Sequence, residues 1–134
     1  MSLFVDTSVW SLAFRRDPPD VGAQVMKLKQ VLEEGDTILT TGLVLQELLQ
    51  GFSGPKARIL ILEHFSAVPL LAPHRDDYIE AATLRNTCRR AGVQAGAIDV
   101  LIAQLCIRHN LTLLSTDRDF ESIAKHSELR VWQR

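Results

Sequence analysis

The chain has 134 residues, of which 46% are hydrophobic and 23% charged, so it can form a domain with a real core and lacks the composition of a disordered protein. Its longest uninterrupted apolar runs are short, which excludes a membrane-spanning helix. The formal net charge of −1 gives no reason by itself to expect a nucleic-acid partner.

The first residues and the cysteines indicate where the protein resides. The N-terminal segment contains no basic residue and reaches Asp6 at once, so we do not expect it to be a secretory signal. Cys88 and Cys106 lie far apart and are predicted to be small buried residues in a reducing compartment. The histidines show no metal-ligand spacing, so no zinc site is expected. We predict a single cytoplasmic domain over residues 1–134.

The apolar pattern predicts strands and helices in alternation. Short strands are predicted at 3–5, 37–39, 67–68, 112–114 and 130–132. A long helix that ends at Gly35 has one apolar face. That face consists of Val21, Val25, Leu28 and Leu32. Other helices are predicted at 9–14, at 43–50, from Pro55 through 63, and at 78–90, 97–108 and 120–125. The helix at 97–108 is apolar on nearly every side and should be the most buried.

Strands separated by helices require crossover connections, which predicts an α/β fold with a mostly parallel sheet covered on both faces. In such sheets ligands bind outside the carboxyl ends of the strands. Asp6 directly follows the first predicted strand, and Asp117 comes shortly after the strand at 112–114. We therefore expect both acids at the same edge of the sheet.

Four acids lie beside apolar runs, where an unpaired charge is costly. They are Asp6, Glu47, Asp99 and Asp117. Brought together without matching bases, they predict a pocket for a hard divalent cation. Mg²⁺ and Mn²⁺ prefer oxygen ligands, and two such ions can clamp the attacking water and the leaving oxygen of a phosphodiester. Hydroxyl groups that could orient carboxylates or waters are available at Thr7, Ser8 and Thr116.

Each acid also has a simpler interpretation. Asp6 could cap a helix at 9–14, with Ser8 as a rival cap. Asp99 could stabilise the first turn of its helix through the helix dipole, and Glu47 could lie on a solvated helix face. The convergence of the acids at one sheet edge, rather than any single acid, favours the metal site.

Asp117 and Asp119 stand in a segment with its own alternative. Thr116 followed by Asp119 three residues later resembles a capping box, with Asp in place of the usual Glu or Gln. Asp117 is favoured as the fourth acid because it lies closer to the strand end.

Four segments in this order resemble the PIN-domain ribonucleases, and more narrowly the VapC-type toxins of prokaryotic toxin–antitoxin pairs. The segments are VDTS at 5–8, ELLQG at 47–51, IDVLIA at 98–103 and LSTDRDF at 114–120. The resemblance extends over nearly the whole chain. Many relatives carry an Asn-containing segment near 117–119, and some carry a proline in the glycine-rich stretch at 92–96. These departures concern the identity of the fourth acid and the shape of a loop.

The resemblance implies a three-layer α/β/α fold and a Mg²⁺- or Mn²⁺-dependent endoribonuclease. Its acidic quartet would be Asp6, Glu47, Asp99 and Asp117. Of these, Asp6, Asp99 and Asp117 would bind metal, with Asp119 as a possible fifth acid. The resemblance also implies a homodimer, an inhibiting antitoxin whose C-terminal segment wraps the toxin, and tRNA or ribosomal RNA as the target.

Arginines near these segments are candidates for phosphate contacts, because the guanidinium fork matches phosphate oxygens. Arg15 and Arg16 follow the first helix, and Arg85 and Arg89 share one face of another. Ordinary solvated charge is the alternative for each. Only 6% of the residues are aromatic, so RNA backbone and shape should dominate over base stacking.

Other functions fit the sequence less well. A receiver domain or aspartyl phosphatase also places aspartates at strand ends, but Asp6 is followed by Thr7 and Ser8 rather than by an Asp-x-Asp pattern. A receiver also needs a lysine at a late strand end, and 113–116 offers none. A non-catalytic RNA- or partner-binding scaffold, and a PIN ribonuclease outside any toxin pair, stay open as alternatives.

Overall fold

The computed structural model describes residues 2–15 and 22–134. The strands of this part are β1 (Leu3–Val5), β2 (Ile38–Thr41), β3 (Leu70–Leu71), β4 (Thr112–Leu114) and β5 (Arg130–Val131). The helices of this part are α1 (Thr7–Phe14), α2 (Gly22–Glu34), α3 (Gly42–Gly51), α4 (Pro55–Phe65), α5 (Arg75–Arg90), α6 (Ala97–Arg108) and α7 (Asp119–Ala124).

The strands form one parallel sheet in the order β3-β2-β1-β4-β5. β1 lies at its centre, where Leu3 pairs with Ile38 of β2 on one side and with Thr112 of β4 on the other. All three residues of β1 are buried. The helices flank this sheet, and the buried apolar residues of both form one cluster. The predicted α/β/α fold with a parallel sheet is confirmed.

The parallel direction of the strands brings the ends of β1 and β4 to the same edge of the sheet. The backbone N–H of Asp6, just beyond β1, donates a 3.0 Å hydrogen bond to the carbonyl of Leu114, the last residue of β4. The chain segments that leave these two strands therefore start side by side. We call this the carboxyl edge of the sheet.

Helix α6 is the most buried helix among the described residues, as its sequence predicts. Its buried residues are Val100, Leu101, Ile102, Ala103, Leu105 and Cys106. It packs against α5, from which it is separated by a short loop that contains Gly92 at a φ of +80°. Glycine suits that position because side chains rarely adopt this backbone conformation. Cys88 of α5 and Cys106 are both buried and free, as expected.

A buried ion pair joins α5 to α6 at the end of the helix pair that lies opposite their connecting loop. Asp77 is fully buried, and its carboxylate accepts hydrogen bonds from the Nε of Arg108 at 2.7 Å and from the backbone N–H of His74 at 2.8 Å. Burial alone would raise the pKa of Asp77. The bonds from Arg108, His74 and Gln104 outweigh burial and hold that pKa below its ordinary value. Asp77 is therefore charged and joins the start of α5 to the end of α6.

Two local predictions are wrong. No strand forms at 67–68, because the N–H of Val68 bonds to the carbonyl of Phe65 in the turn that ends α4. Pairing with β2 begins only at Pro69, whose carbonyl accepts the N–H of Thr40. The strand there is β3, three residues later than predicted.

The apolar face of α2 also differs from the prediction. Leu32 is 51% exposed, whereas Val31 is buried together with Val25 and Leu28. The buried positions thus recur every three residues, and Leu32 falls beside the stripe rather than on it. Val21 lies outside the described residues. Several helix starts differ by one to three residues from the predicted ones, which is the usual precision of such boundaries.

No helix in the described ranges is both long and apolar enough to cross a membrane.

Candidate metal centre

A cavity of about 400 Å³ opens at the carboxyl edge of the sheet. Its lining consists of Asp6, Thr7, Ser8, Glu47, Ile98, Asp99, Ile102 and Asp117. The structure thus brings the four predicted acids to one cavity, although they come from four separate parts of the chain. The lining includes no basic side chain among the described residues.

Asp6 occupies the N-cap position of α1, but its carboxylate does not cap that helix. Its Oδ2 instead accepts hydrogen bonds from the hydroxyls of Ser8 at 2.9 Å and Ser115 at 2.8 Å. Asp6 is only 8% exposed. The capping interpretation therefore does not account for the side chain, which is held at the cavity by two serines.

Glu47 lies in the middle of α3, whose first turn is capped by Thr41 through the backbone N–H of Val44. Its side chain is exposed, as the solvated-face interpretation expects. However, its Oε1 accepts a 3.2 Å hydrogen bond from the hydroxyl of Thr7. This contact joins α1 to α3 and directs Glu47 to the cavity.

Asp99 lies in the first turn of α6, which begins after Gly96. Burial, followed by the negative charges of Asp117, Asp6, Asp119 and Glu47, raises the pKa of Asp99 to about 6. A helix N-terminus by itself would favour the charged form, so the dipole interpretation does not describe the dominant effect. Burial is the larger cause, and the four neighbouring carboxylates add to it because their negative charges all act on Asp99.

Asp117 lies between β4 and α7, and Asp119 is the first residue of α7. Oδ1 of Asp117 accepts the backbone N–H of Asp119 at 2.9 Å, and α7 begins with Arg118 as N-cap without a side-chain cap. The capping box expected from Thr116 and Asp119 is therefore not formed. Carboxylate oxygens of Asp99, Asp117 and Asp119 lie within 4.8 Å of one another.

The cavity lining and this compact group of three oxygens overlap without being identical. Asp99 and Asp117 belong to both. Asp6 lines the cavity but lies outside the compact group, whereas Asp119 belongs to the group and is exposed beside the cavity. Asp99 and Asp117 are thus the two acids at the centre of the arrangement.

The structure also identifies a hydroxyl that the sequence did not single out. Ser115 is 5% exposed, and its hydroxyl donates a hydrogen bond to Asp6. Thr116, whose hydroxyl was expected in this role, is exposed and instead donates its backbone N–H to Ser8. Ser115 is the first residue after a buried strand, the same position that Asp6 has after β1. A polar residue directly after a buried strand is a signal that the sequence offers for Ser115 as it does for Asp6.

The arginines proposed for RNA contacts are spread over the surface. Arg15 is exposed at the end of α1 opposite Asp6, and eight helical residues span about 12 Å. Arg85 donates from its Nε to the carbonyl of Ala95 at 3.0 Å and so supports the loop before α6. Arg89 is exposed beside it. Arg16 lies outside the described residues.

The sequence pattern of the PIN domain matches residues 3–126, which is nearly the whole chain. The chain belongs to the PIN-domain family. Within it, the chain is 30% identical over 133 residues to Ribonuclease VapC11 of Mycobacterium tuberculosis and, to the same degree, to VapC ribonuclease Mb1587 of Mycobacterium bovis. Each alignment covers 96% of both chains. The resemblance inferred from the four sequence segments is confirmed.

Solved structures share this PIN fold. The chain resembles VapBC2 from Rickettsia felis, which was solved bound to a DNA fragment from its promoter, with a TM-score of 0.76, 20% identity and 98% coverage of both chains. It also resembles Mycobacterium tuberculosis VapC20, described as a sarcin-ricin loop cleaving toxin, with a TM-score of 0.66, 20% identity and coverage of 96% and 98%. At these identities the structural likeness concerns the fold.

Proposed function

We propose that this PIN domain is a Mg²⁺- or Mn²⁺-dependent endoribonuclease that acts as the toxin of a toxin–antitoxin pair. The observation that carries the proposal is the meeting of Asp6, Glu47, Asp99 and Asp117 at one cavity without a basic side chain in the described lining. Kinship with VapC ribonucleases supports the ribonuclease class.

The residues at the cavity fit a hard divalent cation. Carboxylate oxygens are the donors that Mg²⁺ and Mn²⁺ prefer, and those of Asp99, Asp117 and the adjacent Asp119 lie within 4.8 Å of one another. Burial and the neighbouring carboxylates both raise the pKa of Asp99, and a cation would offset the negative charge of those carboxylates. We propose Asp6, Asp99 and Asp117 as ligands, with Asp119 in support. When bound, the cation would make a water molecule more acidic and stabilise negative charge on the phosphate.

The chain's own groups have distinct parts in the proposed reaction. Oε1 of Glu47 accepts the Thr7 hydroxyl, which leaves Oε2 to accept a proton from the attacking water. Thr7 fixes the direction of that carboxylate. Ile102, which is buried, gives the cavity one apolar side, and charge interactions beside it are stronger than in open solvent.

RNA would be held mainly through its phosphates. We propose Arg89 for such a contact because it is exposed and makes no ion pair among the described residues. Arg85 keeps its terminal N–H groups for phosphate although its Nε supports the loop. Arg15 could meet only a part of the RNA some distance from the cleaved bond. Binding through these groups should weaken as salt rises. Ribosomal RNA or tRNA is the proposed substrate class.

Two protein partners belong to the proposal, a cognate antitoxin and a second copy of the chain. Large apolar side chains of α4 are exposed, at 58% for Ile59, 45% for Leu60 and 41% for Leu62. Clustered exposure of this kind is uncommon on monomers and supports burial against another chain. The apolar residues of α4 are divided between this surface and the core, since Ile61 and Phe65 are buried.

Induced expression in a bacterial host tests the toxin role. Wild type should arrest growth, Asp99→Asn should not, and co-expression of a small protein encoded beside the gene should relieve the arrest. Cleavage of RNA in vitro without growth arrest would instead indicate a PIN ribonuclease outside any toxin pair. Absence of both activities would indicate a non-catalytic scaffold.

Light scattering after size exclusion tests the dimer. Wild type should elute with the mass of two chains, and Ile59→Glu should give one chain if α4 forms the contact. Ile79→Glu on α5, where Ile79 is 54% exposed, is the matched control. A wild-type monomer at every concentration would contradict the homodimer.

A further inference from the structure

One carboxylate oxygen at the cavity is held by two serines from distant parts of the chain. Oδ2 of Asp6 accepts the hydroxyl of Ser115 at 2.8 Å and the hydroxyl of Ser8 at 2.9 Å. Ser115 and Asp6 are both buried, at 5% and 8% exposure. Hydrogen bonds to a buried charged group are stronger than neutral ones and are poorly replaced by solvent.

The backbone fixes the direction in which each serine points its proton. The N–H of Thr116 donates to the Oγ of Ser8, and the N–H of Asp117 donates to the Oγ of Ser115, both at 3.0 Å. Each Oγ therefore accepts from the backbone and has a single proton to give. Both protons are directed to Asp6, so neither is left for a hydrogen bond across the 3.2 Å that separates the two hydroxyls.

Ser115 additionally connects two of the acids. It donates to the carboxylate of Asp6, which follows β1, and accepts from the backbone of Asp117, which follows β4. The Ser115 side chain thus helps to fix the distance between the loops after these strands, together with the bond from the Thr116 N–H to Ser8. The hydrogen bonds that described residues make to the Asp6 carboxylate all go to Oδ2. Oδ1 is consequently the oxygen left for a ligand.

We propose that Ser115, assisted by Ser8, is a positioning residue that holds Asp6 by Oδ2, turns its Oδ1 to the divalent cation and sets the spacing between Asp6 and Asp117. The inference rests on the proposed metal-dependent function. Groups that orient a metal ligand commonly affect metal affinity or activity although they never touch the ion.

The experiment is a calorimetric titration of the metal-free protein with Mn²⁺ alone. Ser115→Ala removes the bond to Asp6 and the acceptor for Asp117, and should weaken Mn²⁺ binding by about 10- to 100-fold. Ser8→Ala removes one donor and should have a smaller effect in the same direction. Ser66→Ala is the matched control, because Ser66 also makes a hydroxyl hydrogen bond, to the carbonyl of Glu63, on the exposed end of α4.

A kinetic readout separates positioning from general loss of structure. In cleavage assays at saturating Mn²⁺, Ser115→Ala should lower kcat while leaving KM for RNA near the wild-type value. Ser115→Thr keeps a hydroxyl and should recover Mn²⁺ affinity in part. If Ser115→Ala does not fold, Ser8→Ala decides, since it changes a residue of a surface helix.

The outcomes distinguish a failure of the proposed metal-dependent function from a failure of the role of Ser115. Wild-type protein that binds no Mn²⁺ would overturn the proposed function together with this inference. Wild-type binding and cleavage, with unchanged Mn²⁺ affinity in folded Ser115→Ala, would overturn the inference alone. If Ser115→Ala does not fold, unchanged Mn²⁺ affinity in Ser8→Ala would likewise overturn the inference alone.

Discussion

The carboxylates of Asp99 and Asp117 lie with oxygens less than 4.8 Å apart, and Asp117 is the charge that most raises the pKa of Asp99 after burial itself. One residue begins a helix and the other follows a strand, so local sequence does not explain their proximity. The fold holds together two acids that repel each other. A bound cation offsets that repulsion, and the metal-free protein should show its cost.

The first prediction concerns the pH dependence of stability without metal. The pKa of Asp99 is about 6 in the folded state and 3.8 in the reference state, so the folded protein binds this proton more tightly. Stability should therefore fall as pH rises from 4 to 6, by about 1 kcal/mol from this group once partial exposure is allowed for. Urea unfolding in EDTA across that range measures the effect.

The control for that experiment is Asp99→Asn, which cannot titrate. Its unfolding free energy should exceed that of wild type above pH 6 and approach it near pH 4. Parallel curves for the two proteins over the whole range would mean that Asp99 does not carry the shifted proton.

The second prediction concerns metal binding at different pH values. Protons and cations compete for the Asp99 carboxylate, so Mn²⁺ affinity should rise between pH 5 and 7 and then level off. Calorimetry in buffers of different ionisation enthalpy measures both the affinity and the proton released. Binding without proton release at pH 5.5 would contradict the role of Asp99 as a ligand.

The third prediction compares two neighbouring acids. Asp117→Asn should reduce cleavage by about 100-fold or more, because Asp117 both lines the cavity and belongs to the compact oxygen group. Asp119→Asn should have a milder effect, since Asp119 belongs to the compact oxygen group but does not line the cavity. Initial rates at fixed Mn²⁺ measure both variants. Equal losses would assign Asp119 the same importance as Asp117.

The fourth prediction concerns the ion pair at the far end of α6. Arg108→Ala leaves the buried charge of Asp77 without its main partner and should destabilise the protein by about 2–3 kcal/mol, below the full cost of breaking a buried pair because the Arg108 side chain is 31% exposed. Thermal unfolding measures this change. Mn²⁺ affinity should stay unchanged, because nine residues of helix, about 14 Å, separate Arg108 from Asp99.

The Asp77 pair also predicts its own pH response. Because the pKa of Asp77 is lowered on folding, the stability it contributes is present above pH 3.8 and is lost as pH falls further. Arg108→Ala should reduce that acid sensitivity. A variant as stable as wild type at neutral pH would show that solvent replaces Arg108 fully.

Much of the fold could be predicted because its central elements are buried on several sides. β1, β4 and α6 have the predicted bounds. Each is buried on several sides and therefore has a continuous apolar run whose ends mark the ends of the element. β3 was misplaced because it has only two residues at the sheet border, and Leu70 there is 46% exposed. Such a short, partly exposed strand has no run of apolar residues by which the sequence could reveal its position.

Two of the cavity acids could be predicted from the topology of the sheet alone, whereas the hydrogen-bond partners of those acids could not. The rule that parallel strands end at one edge brings Asp6 and Asp117 together without further information. The partner of Asp6 does not follow from that rule, because choosing Ser115 over Thr116 requires knowing which way a side chain points just beyond β4. The contact spans 109 positions in the chain, and no local pattern encodes it.

The measurement that tests the central claim most directly is cleavage of a quenched-fluorophore RNA by purified protein in Mg²⁺, Mn²⁺ or EDTA, beside Asp6→Asn purified identically. The account predicts cleavage with either metal, none in EDTA, and loss in the variant although its thermal unfolding still shows a folded protein. Equal cleavage by both proteins, or cleavage that persists in EDTA, would contradict a metal-dependent nuclease built on these acids.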